Sequence, residues 1–527
     1  MPTAAEVTNR PELVLALVGA AGTRLNDLSL ALKAGLESFG YQVVDIRLSE
    51  LLMSFTGWAN QAATGEFERI RHLQEMGNAF RRRLGKGDAL ARAGIAEIRR
   101  QRASISGSPD QPAAGRAYIL RQLKHPEEVD LLRQVYGSSF LLIAGHAPLE
   151  VRAAYLAQQM AREASQPGQD VHFYGKALEL ITSDEKQESE YGQNTRDTYP
   201  KADFFANLSL ALGENEVGRF LDLIFGHPSH TPSPEEYAMY QASAISLRSS
   251  DESRQVGAAI VSVTLDEHNR VKNADIIAVG MNEVPRGGGG FYWDKDSPDN
   301  RDQALFQQGI DRAREIKISA LAELIEKMKQ KAWLQATLAG STPRALANLL
   351  VEDLGRTQFM EIGEFSRPVH AEMAALVDSA RRGVAVNGHT MYVTTFPCHN
   401  CAKHIIAAGL HKVVYLEPYP KSRAYNLHGE EIVLESPDGR EVDGKVVFAA
   451  FSGVAPRQYR GLFSMSERGA KKGRGKPLSV WLAERRSLSP RYVPQHAALS
   501  YLAAERQEML HLLPEIYRWD RESLCPS

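Results

Sequence analysis

Two short motifs constrain this chain most, because together they supply one histidine and two cysteines at characteristic positions. His370 and Glu372 stand in an H-A-E run, and Cys398 and Cys401 follow in the run P-C-H-N-C. One imidazole and two thiolates make a three-ligand zinc set, and three protein ligands leave the fourth tetrahedral position open, as in catalytic sites. The chain has no second C-x-x-C pair to close such a site. The motifs therefore predict one catalytic Zn²⁺ per chain, held by His370, Cys398 and Cys401.

The sequence around these residues favours metal chemistry over a redox pair. It predicts that His370 begins one helix and that both cysteines begin another, where helix-terminal amides stabilise thiolates. Glu372 lies two residues beyond the histidine, where its carboxylate can transfer protons without binding the metal. The order H-x-E followed by P-C-x-x-C is typical of zinc deaminases, in which this glutamate is the general acid and base. Glu372 is therefore the predicted catalytic residue.

Composition narrows the class of partner. With 527 residues, a hydrophobic fraction of 43% and a net charge of −2, the chain has the composition of a soluble multidomain protein without an overall field for nucleic acid or membranes. Three cysteines exclude a disulfide scaffold. The first ten residues lack the apolar core of a secretion signal, and the longest apolar runs fall short of the roughly 20 residues of a membrane span. We therefore expect a cytoplasmic protein with no membrane partner.

Residues 1–230 have the pattern of a parallel α/β domain. A buried strand ends in GAAGTRL, a helix follows, residues 41–48 form a second strand, and more strands are expected at 116–120 and 140–146. The arrangement is typical of parallel-sheet nucleotide-binding folds, but the Lys-Ser/Thr pair of a working phosphate loop is missing. The candidate phosphate-binding residues are Gly19, Gly22, Thr23 and Arg24. We expect a degenerate P-loop domain that senses an anion, or a scaffold without a ligand, rather than a phosphoryl-transfer enzyme.

The rest of the chain divides into a second domain and a tail. The Pro- and Ser-rich segment 227–234 predicts a linker. Residues 231–465 are expected to form a three-layer α/β/α domain of the cytidine-deaminase type, interrupted by a charged helical insertion at about 301–355. A basic loop and a helical tail are expected at 466–527.

The second domain resembles the deoxycytidylate deaminase family over residues 235–420. The matching runs are RQVGAAIV from Arg254, GMNEVPRG from Gly280, the two zinc motifs, and AGLHKVVY ending at Tyr415. The resemblance implies that Asn282 binds the sugar of the substrate, although Met281 and Glu283 depart from the usual G-Y-N-G run. The basic residues nearest the motifs, and so the candidates for phosphate contact, are Arg254, Arg286, Lys421 and Arg423.

The whole chain resembles a narrower group, the bacterial anti-phage dCTP deaminases, which fuse a P-loop-kinase-like domain to a deoxycytidylate deaminase domain. The matching runs include LVGAAGT, LKHPEEVDLLR, GQNTRDTYPKAD and GVAPRQY. The group implies hydrolysis of dCTP or dCMP to the deoxyuridine nucleotide and ammonia, depletion of this pool during phage infection, an inhibitory RNA partner and a homo-oligomer. Basic stretches at 81–86 and 468–476 suit RNA, although short basic runs are more often solvated surface.

The sequence leaves alternatives open. The chain is alternatively a dCMP deaminase of ordinary pyrimidine metabolism, a deaminase of DNA or tRNA, or a binding protein without catalysis. Enzymes that act on polynucleotides need a basic groove with stacking aromatic residues, but the aromatic cluster 291–293 is followed closely by three aspartates. The intact Glu372 argues against a protein without catalysis. The sequence does not separate dCTP from dCMP, since both share the base and the sugar.

Overall fold

The computed structural model describes residues 10–54, 65–185, 192–209, 214–265, 267, 271–335, 338, 340–354, 363, 365–419, 422–435, 444–465, 477–490, 501–510 and 512. Contacts divide the chain into two units. The first contains Met1–Tyr240, Leu416–Pro418 and Ile432–Ser527, and the second contains Gln241–Tyr415 and Tyr419–Glu431. No helix in the described ranges is both long enough and apolar enough to cross a bilayer.

The chain alternates helices and strands throughout. The strands are β1 (Leu13–Val18), β2 (Gln42–Arg47), β3 (Arg116–Arg121), β4 (Phe140–His146), β5 (Phe204–Asn207), β6 (Gly257–Leu265), β7 (Val271–Met281), β8 (Thr390–Thr395), β9 (Lys412–Glu417), β10 (Ile432–Leu434), β11 (Val446–Ala450) and β12 (Gly453–Val454). The helices are α1 (Leu25–Ser38), α2 (Leu48–Ser54), α3 (Glu66–Leu84), α4 (Ala89–Ser106), α5 (Pro126–Tyr136), α6 (Leu149–Glu163), α7 (Tyr174–Glu185), α8 (Thr195–Thr198), α9 (Glu214–Ile224), α10 (Pro234–Ser246), α11 (Asp302–Gln307), α12 (Arg312–Gln330), α13 (Pro343–Leu354), α14 (Ala371–Arg382), α15 (His399–Ala407), α16 (Ala424–His428), α17 (Tyr459–Phe463) and α18 (Leu478–Ala483).

The sheet of the first unit is built on parallel strands in the order β5–β4–β1–β3–β2. Every residue of the central strand β1 is buried, as expected for a parallel strand that is covered on both faces. Helix α1 buries Leu28, Leu32 and Leu36 in the same core. The predicted parallel α/β architecture is present, and the kinase-like assignment stays a prediction.

Antiparallel pairing dominates the centre of the second unit. Its strands run in the order β9–β8–β6–β7, and β6 pairs antiparallel with both β7 and β8. Helix α14 packs against β6 and β7. The predicted insertion is helical, and its helices α12 and α13 share a small apolar core that includes Ile318, Leu321 and Ala347. The mixed α/β class of the chain is therefore confirmed.

Described residues near the end of the chain group with the first unit. The sequence predicts that residues 432–465 belong to the second domain and 466–527 to a separate tail, and these boundaries stay predictions; contacts group the described residues from Ile432 onward with the first unit. The reason is long-range pairing: β12 adds antiparallel to the edge of β5. In addition, Trp481 packs edge-on against Phe39 with ring centroids 5.9 Å apart.

An ion pair anchors the last helical segment to the same unit. Residues 501–510 are helical, and the fully buried carboxylate of Glu505 accepts hydrogen bonds of 2.6 and 2.8 Å from the Arg102 guanidinium. The predicted linker at 227–234 also belongs to this unit, and its first residue, His227, is buried. The basic stretch 468–476 lies outside the described residues.

Candidate active site

His370 and Glu372 are positioned by the start of α14. His370 is the N-cap residue of this helix, and Glu372 lies in its first turn with only 4% of its surface exposed. The helix approaches β7 closely at Gly280, where an added Cβ would lie 2.3 Å from the Ala375 nitrogen and 2.4 Å from the Ala371 oxygen. Only a residue without a side chain allows this contact. Gly280 therefore sets the depth at which the histidine and glutamate enter the site.

Cys398 and Cys401 are positioned by the junction between β8 and α15. Cys398 is the N-cap residue of α15, and Cys401 lies one turn further on, where it is buried. The turn before the helix is held by the Ser422 hydroxyl, which donates a 2.7 Å hydrogen bond to the Pro397 oxygen. Both thiols therefore face the amide end of a helix, as the sequence predicted.

The distances among these side chains fit one zinc ion. The Nδ1 atom of His370 lies 3.4 Å from the Sγ atom of Cys398 and 3.4 Å from that of Cys401. In a tetrahedral site with ordinary zinc–sulfur and zinc–nitrogen bonds, the nitrogen lies about 3.6 Å from each sulfur. The three ligand atoms lie within 4.8 Å of one another. The sequence-predicted ligands are thus brought together at the spacing that a metal requires.

The pKa values of the clustered side chains are shifted from their ordinary values. A hydrogen bond from Cys401, followed by those of His370, lowers the pKa of Cys398 to about 3, while the same bond to Cys398 raises the pKa of Cys401. The hydrogen bond with Cys398 also raises the pKa of His370. Burial, and then the negative charge of Cys398, raise the pKa of Glu372 to about 7. The glutamate is therefore suited to exchange protons near neutral pH.

The side chain of Asn282, the residue predicted to bind sugar, makes three hydrogen bonds within the protein. Its Oδ1 atom accepts from the Val256 nitrogen at 2.7 Å, and its Nδ2 atom donates to Asp251 at 3.0 Å and to the Arg254 oxygen at 2.8 Å. The side chain is largely buried, with 8% of the residue exposed. Asn282 thus ties the end of β7 to the segment before β6, and sequence reasoning missed its partner Asp251.

Glu283 has a structural role that its sequence position did not reveal. Its carboxylate accepts hydrogen bonds from the nitrogen and hydroxyl of Ser250 at 3.0 and 2.7 Å. Its backbone pairs with Val369, the residue before His370. Glu283 therefore stabilises the segment that leads into α14. This role gives a physical explanation for the departure from the usual G-Y-N-G run at Glu283.

The predicted phosphate-contacting residues that the structure describes have different interaction partners. Arg254 is exposed, and its guanidinium lies 6.0 Å from the centroid of the Tyr419 ring. The Arg286 side chain is half-exposed, and its guanidinium lies 3.5 Å from the Asp296 carboxylate. Lys421 lies outside the described residues. Their roles remain predictions.

A cavity of about 440 Å³ adjoins the Asn282–Glu283 segment. Its wall includes Asp251 and Glu283, together with Phe306, Arg314 and Lys317 from the helical insertion. Acidic residues outnumber basic ones in the lining, which is Ser250, Asp251, Glu252, Ser253, Glu283, Asp302, Gln303, Phe306, Asp311, Ala313, Arg314, Lys317, Ser366 and Pro368. The insertion thus contributes to the surface of the unit that carries the metal ligands.

The candidate phosphate loop of the first unit is occupied by the protein itself. The Ala21 nitrogen donates a 2.8 Å hydrogen bond to Asp184, whose carboxylate lies 2.7 Å from the Lys124 ammonium. Lys124 also donates to the Gly19 oxygen at 3.1 Å. Sequence reasoning missed Asp184 and Lys124, because both lie more than 100 positions from the loop.

The remaining predicted loop residues take structural places. Gly22 has a φ of +82°, and a Cβ there would lie 2.5 Å from the Arg152 oxygen. Thr23 is buried. On the surface, the Arg24 guanidinium forms an ion pair with the Asp27 carboxylate at 2.5 Å. The loop is therefore closely packed rather than open.

Comparison with known proteins agrees with the site's geometry. Residues 232–417 match the family model described as the cytidine and deoxycytidylate deaminase zinc-binding region. The chain is 47% identical to the deoxycytidylate deaminase of Enterobacteria phage T2 over 55 residues, which is 10% of this chain and 29% of that protein. It is 44% identical to ComE operon protein 2 of Bacillus subtilis over 54 residues, covering 10% of this chain and 29% of that protein.

The chain thus spans less than a third of the length of these relatives. The dCMP deaminase of cyanophage S-TIM5 in its apo form aligns with 42% of this chain and all of that chain, at 18% identity and a TM-score of 0.22. The family model and the relatives support a zinc-binding region of the cytidine and deoxycytidylate deaminase type within the second unit.

Proposed function

We propose that this protein is a zinc-dependent hydrolase that deaminates free deoxycytidine nucleotides, dCTP or dCMP, to the deoxyuridine nucleotide and ammonia. The observation that carries the proposal is the convergence of His370, Cys398 and Cys401 beside the buried Glu372. A matching family model for this region supports the same class of reaction.

The residues divide the chemistry between them. His370, Cys398 and Cys401 would hold zinc, which when bound supplies the Lewis acidity that makes water nucleophilic near neutral pH. Glu372 accepts one proton from the attacking water and delivers it to the ring nitrogen N3, and then moves the second water proton from the added hydroxyl to the leaving amine. The carbon at position 4 exchanges its amine for oxygen, so that cytosine and water become uracil and ammonia. Burial of Glu372, which raises its pKa to about 7, supports both proton steps.

The surroundings of the site support a free nucleotide rather than a polynucleotide. Acidic residues outnumber basic ones in the lining of the neighbouring cavity, which disfavours a continuous phosphate backbone there. The exposed Trp293, the best stacking platform of the aromatic cluster, has the Arg248 guanidinium 3.5 Å from its ring centroid. One ring face is thus covered by protein. Arg314 and Lys317 are the basic residues that line the cavity, and they are candidates for contact with the phosphates.

The first unit is proposed to act as a degenerate P-loop domain without phosphoryl transfer. Its loop lacks the Lys-Ser/Thr pair, and the Ala21 amide is engaged by Asp184. Depletion of the deoxycytidine nucleotide pool in phage defence, control by RNA, a homo-oligomeric state and a cytoplasmic location are further parts of the proposal. Sequence resemblance supports the first three of these, and composition supports the last.

The test offers purified protein dCTP, dCMP, CTP, deoxycytidine and single-stranded DNA in parallel, and measures ammonia and product identity. Turnover of dCTP, with or without dCMP, but not of CTP or DNA would support the proposal. Turnover of DNA alone would favour the polynucleotide alternative, and turnover of dCMP without dCTP would favour an enzyme of ordinary pyrimidine metabolism.

Glu372→Gln is the first variant to compare with the parent protein. It should retain zinc and the fold while turnover falls by about 10²–10⁴, because the proton shuttle is lost and the ligands are kept. Glu352→Gln, an exposed glutamate on α13, is the matched control and should leave turnover unchanged. An active Glu372→Gln variant would refute the assigned role.

A further inference from the structure

A second set of potential metal ligands lies in the first unit, where α9 ends. Asp222 lies in the last turn of α9, and His227 and His230 follow in the run HPSH. One ligand atom from each of the three lies within 4.8 Å of the other two. Among the described residues, the only other cluster that meets this criterion is His370, Cys398 and Cys401.

The two imidazoles are held in place by packing. The rings of His227 and His230 are stacked, with centroids 3.8 Å apart and planes 19° from parallel. The buried His227 also meets the edge of Trp481 at 4.8 Å. The backbone nitrogen of His227 donates a 2.8 Å hydrogen bond to the backbone oxygen of Asp222, and this bond closes the turn after the helix. The fold thus brings the two side chains together, and binding of one ion by both would turn one ring out of the stack, because an imidazole nitrogen binds a metal in the plane of its ring.

The carboxylate is oriented as ligating carboxylates commonly are. Its Oδ1 atom accepts a 3.1 Å hydrogen bond from Arg485, while its Oδ2 atom lies 3.4 Å from the Nε2 atom of His230. The outer hydrogen bond to Oδ1 fixes the orientation of the carboxylate, and a metal bound at Oδ2 would replace the direct contact between Oδ2 and His230. The Nδ1 atom of His227 lies 3.4 Å from the Ser229 hydroxyl, which provides a comparable outer partner for that ring.

We propose that Asp222, His227 and His230 form a second site for a divalent transition metal, distinct from the site of the deaminase motifs. Two imidazoles and one carboxylate are a donor set that zinc accepts readily. The side chains of His230 and Asp222 are 29% and 18% exposed, which gives water access to complete the coordination. The ion would link the segment after α9 to that helix, next to Trp481 in the core, and so stabilise the first unit.

The proposal predicts the metal content of the full-length protein. After loading with zinc and dialysis against metal-free buffer, the parent protein should contain two equivalents of zinc. Replacing Cys398 and Cys401 with serine should leave one, whereas His230→Ala should remove the other and raise the dissociation constant of this site at least tenfold. His172→Ala, which changes an exposed histidine of the same unit, is the control and should keep both equivalents.

A spectroscopic readout separates loss of metal from loss of fold. Trp481 is buried against His227, so Co²⁺ bound at this site should quench its fluorescence. The quenching should persist in the double cysteine variant, disappear in His230→Ala, and shrink in Trp481→Phe. A parent protein with a single zinc equivalent that the cysteine replacements remove would overturn the proposal, as would a second equivalent unaffected by His230→Ala. The second site can fail this test while deamination survives, because the experiment does not depend on turnover.

Discussion

Two strand-to-helix junctions of this molecule share a topology and differ in how their charge is balanced. At the β8–α15 junction, Cys398 and Cys401 gather with His370 around a point that suits a cation. At the β1–α1 junction, the Ala21 amide receives the carboxylate of Asp184. The first junction offers candidate ligands to an ion from outside the chain, whereas the second is completed by the chain itself. Whether such a junction becomes a binding site is therefore decided by the side chains that distant segments bring to it.

The largest expected effect is at the first junction. Cys398→Ser should lower zinc affinity by more than about 100-fold, since loss of even an outer partner of a metal ligand costs about 10–100-fold, and deamination should vanish with the metal. Competition with a chromophoric chelator measures the affinity. His399→Ala is the matched control within the same motif and should keep zinc. Retention of zinc by Cys398→Ser would remove the distinction between the two junctions.

The second effect concerns the self-contained junction. Asp184→Ala should lower the free energy of unfolding by about 3–5 kcal/mol, because the nearly buried Lys124 ammonium loses its partner. Urea denaturation followed by circular dichroism measures the loss. Asp130→Ala breaks an exposed pair with Lys201 of similar length and should cost about 1 kcal/mol or less. Inorganic phosphate should stabilise Asp184→Ala but not the parent protein, because it would take the place of the missing carboxylate. Equal stabilisation of both would show that the loop is open to anions.

A smaller effect is expected where α14 meets β7. Gly280→Ala should cost about 1–3 kcal/mol, because its Cβ would lie 2.3 Å from a backbone nitrogen and the helix must shift. The turnover number should fall as well, since the helix carries His370 and Glu372. Gly287→Ala is the control, because an added Cβ meets nothing within 4 Å there. Equal stability and turnover in the two variants would show that this contact does not set the site's geometry.

The smallest effect is expected at Arg24, whose pair with Asp27 is about 40% exposed on each side. Arg24→Ala should change the free energy of unfolding by about 1 kcal/mol or less and leave deamination unchanged. Thermal shifts with added dATP or dCTP provide the decisive measurement. If a nucleotide stabilises the parent protein and Arg24→Ala abolishes that effect, the loop binds phosphate and the comparison must be revised.

Local sequence patterns predicted much of the fold. The strands at 140–146 and 390–395 occur at the predicted residues, because each is a continuous run of residues that pack in a sheet. The helix starts at His370 and Cys398 were predicted because capping and strand-to-helix patterns are also local. The metal ligands followed from spacing in the chain, and the structure brings them together.

The omissions share a cause. The sequence did not reveal that described residues near the C-terminus group with the first unit, because β12 pairs with β5 and Glu505 pairs with Arg102, hundreds of positions away. The bonds of Asn282 to Asp251 and Arg254 were missed for a similar reason. A local pattern carries no information about a partner that a different segment supplies.

The sequence by itself predicted many of the elements, the candidate zinc ligands and the proposed general acid and base, because each prediction depends on residue type at a short spacing. Only the tertiary structure decided that Asp184 fills the β1–α1 loop, that the C-terminal residues complete the first unit, and that Asp222 meets His227 and His230 in one cluster. These outcomes depend on burial and on long-range pairing. Burial makes an unpaired charge costly, so the fold selects whichever distant side chain satisfies it.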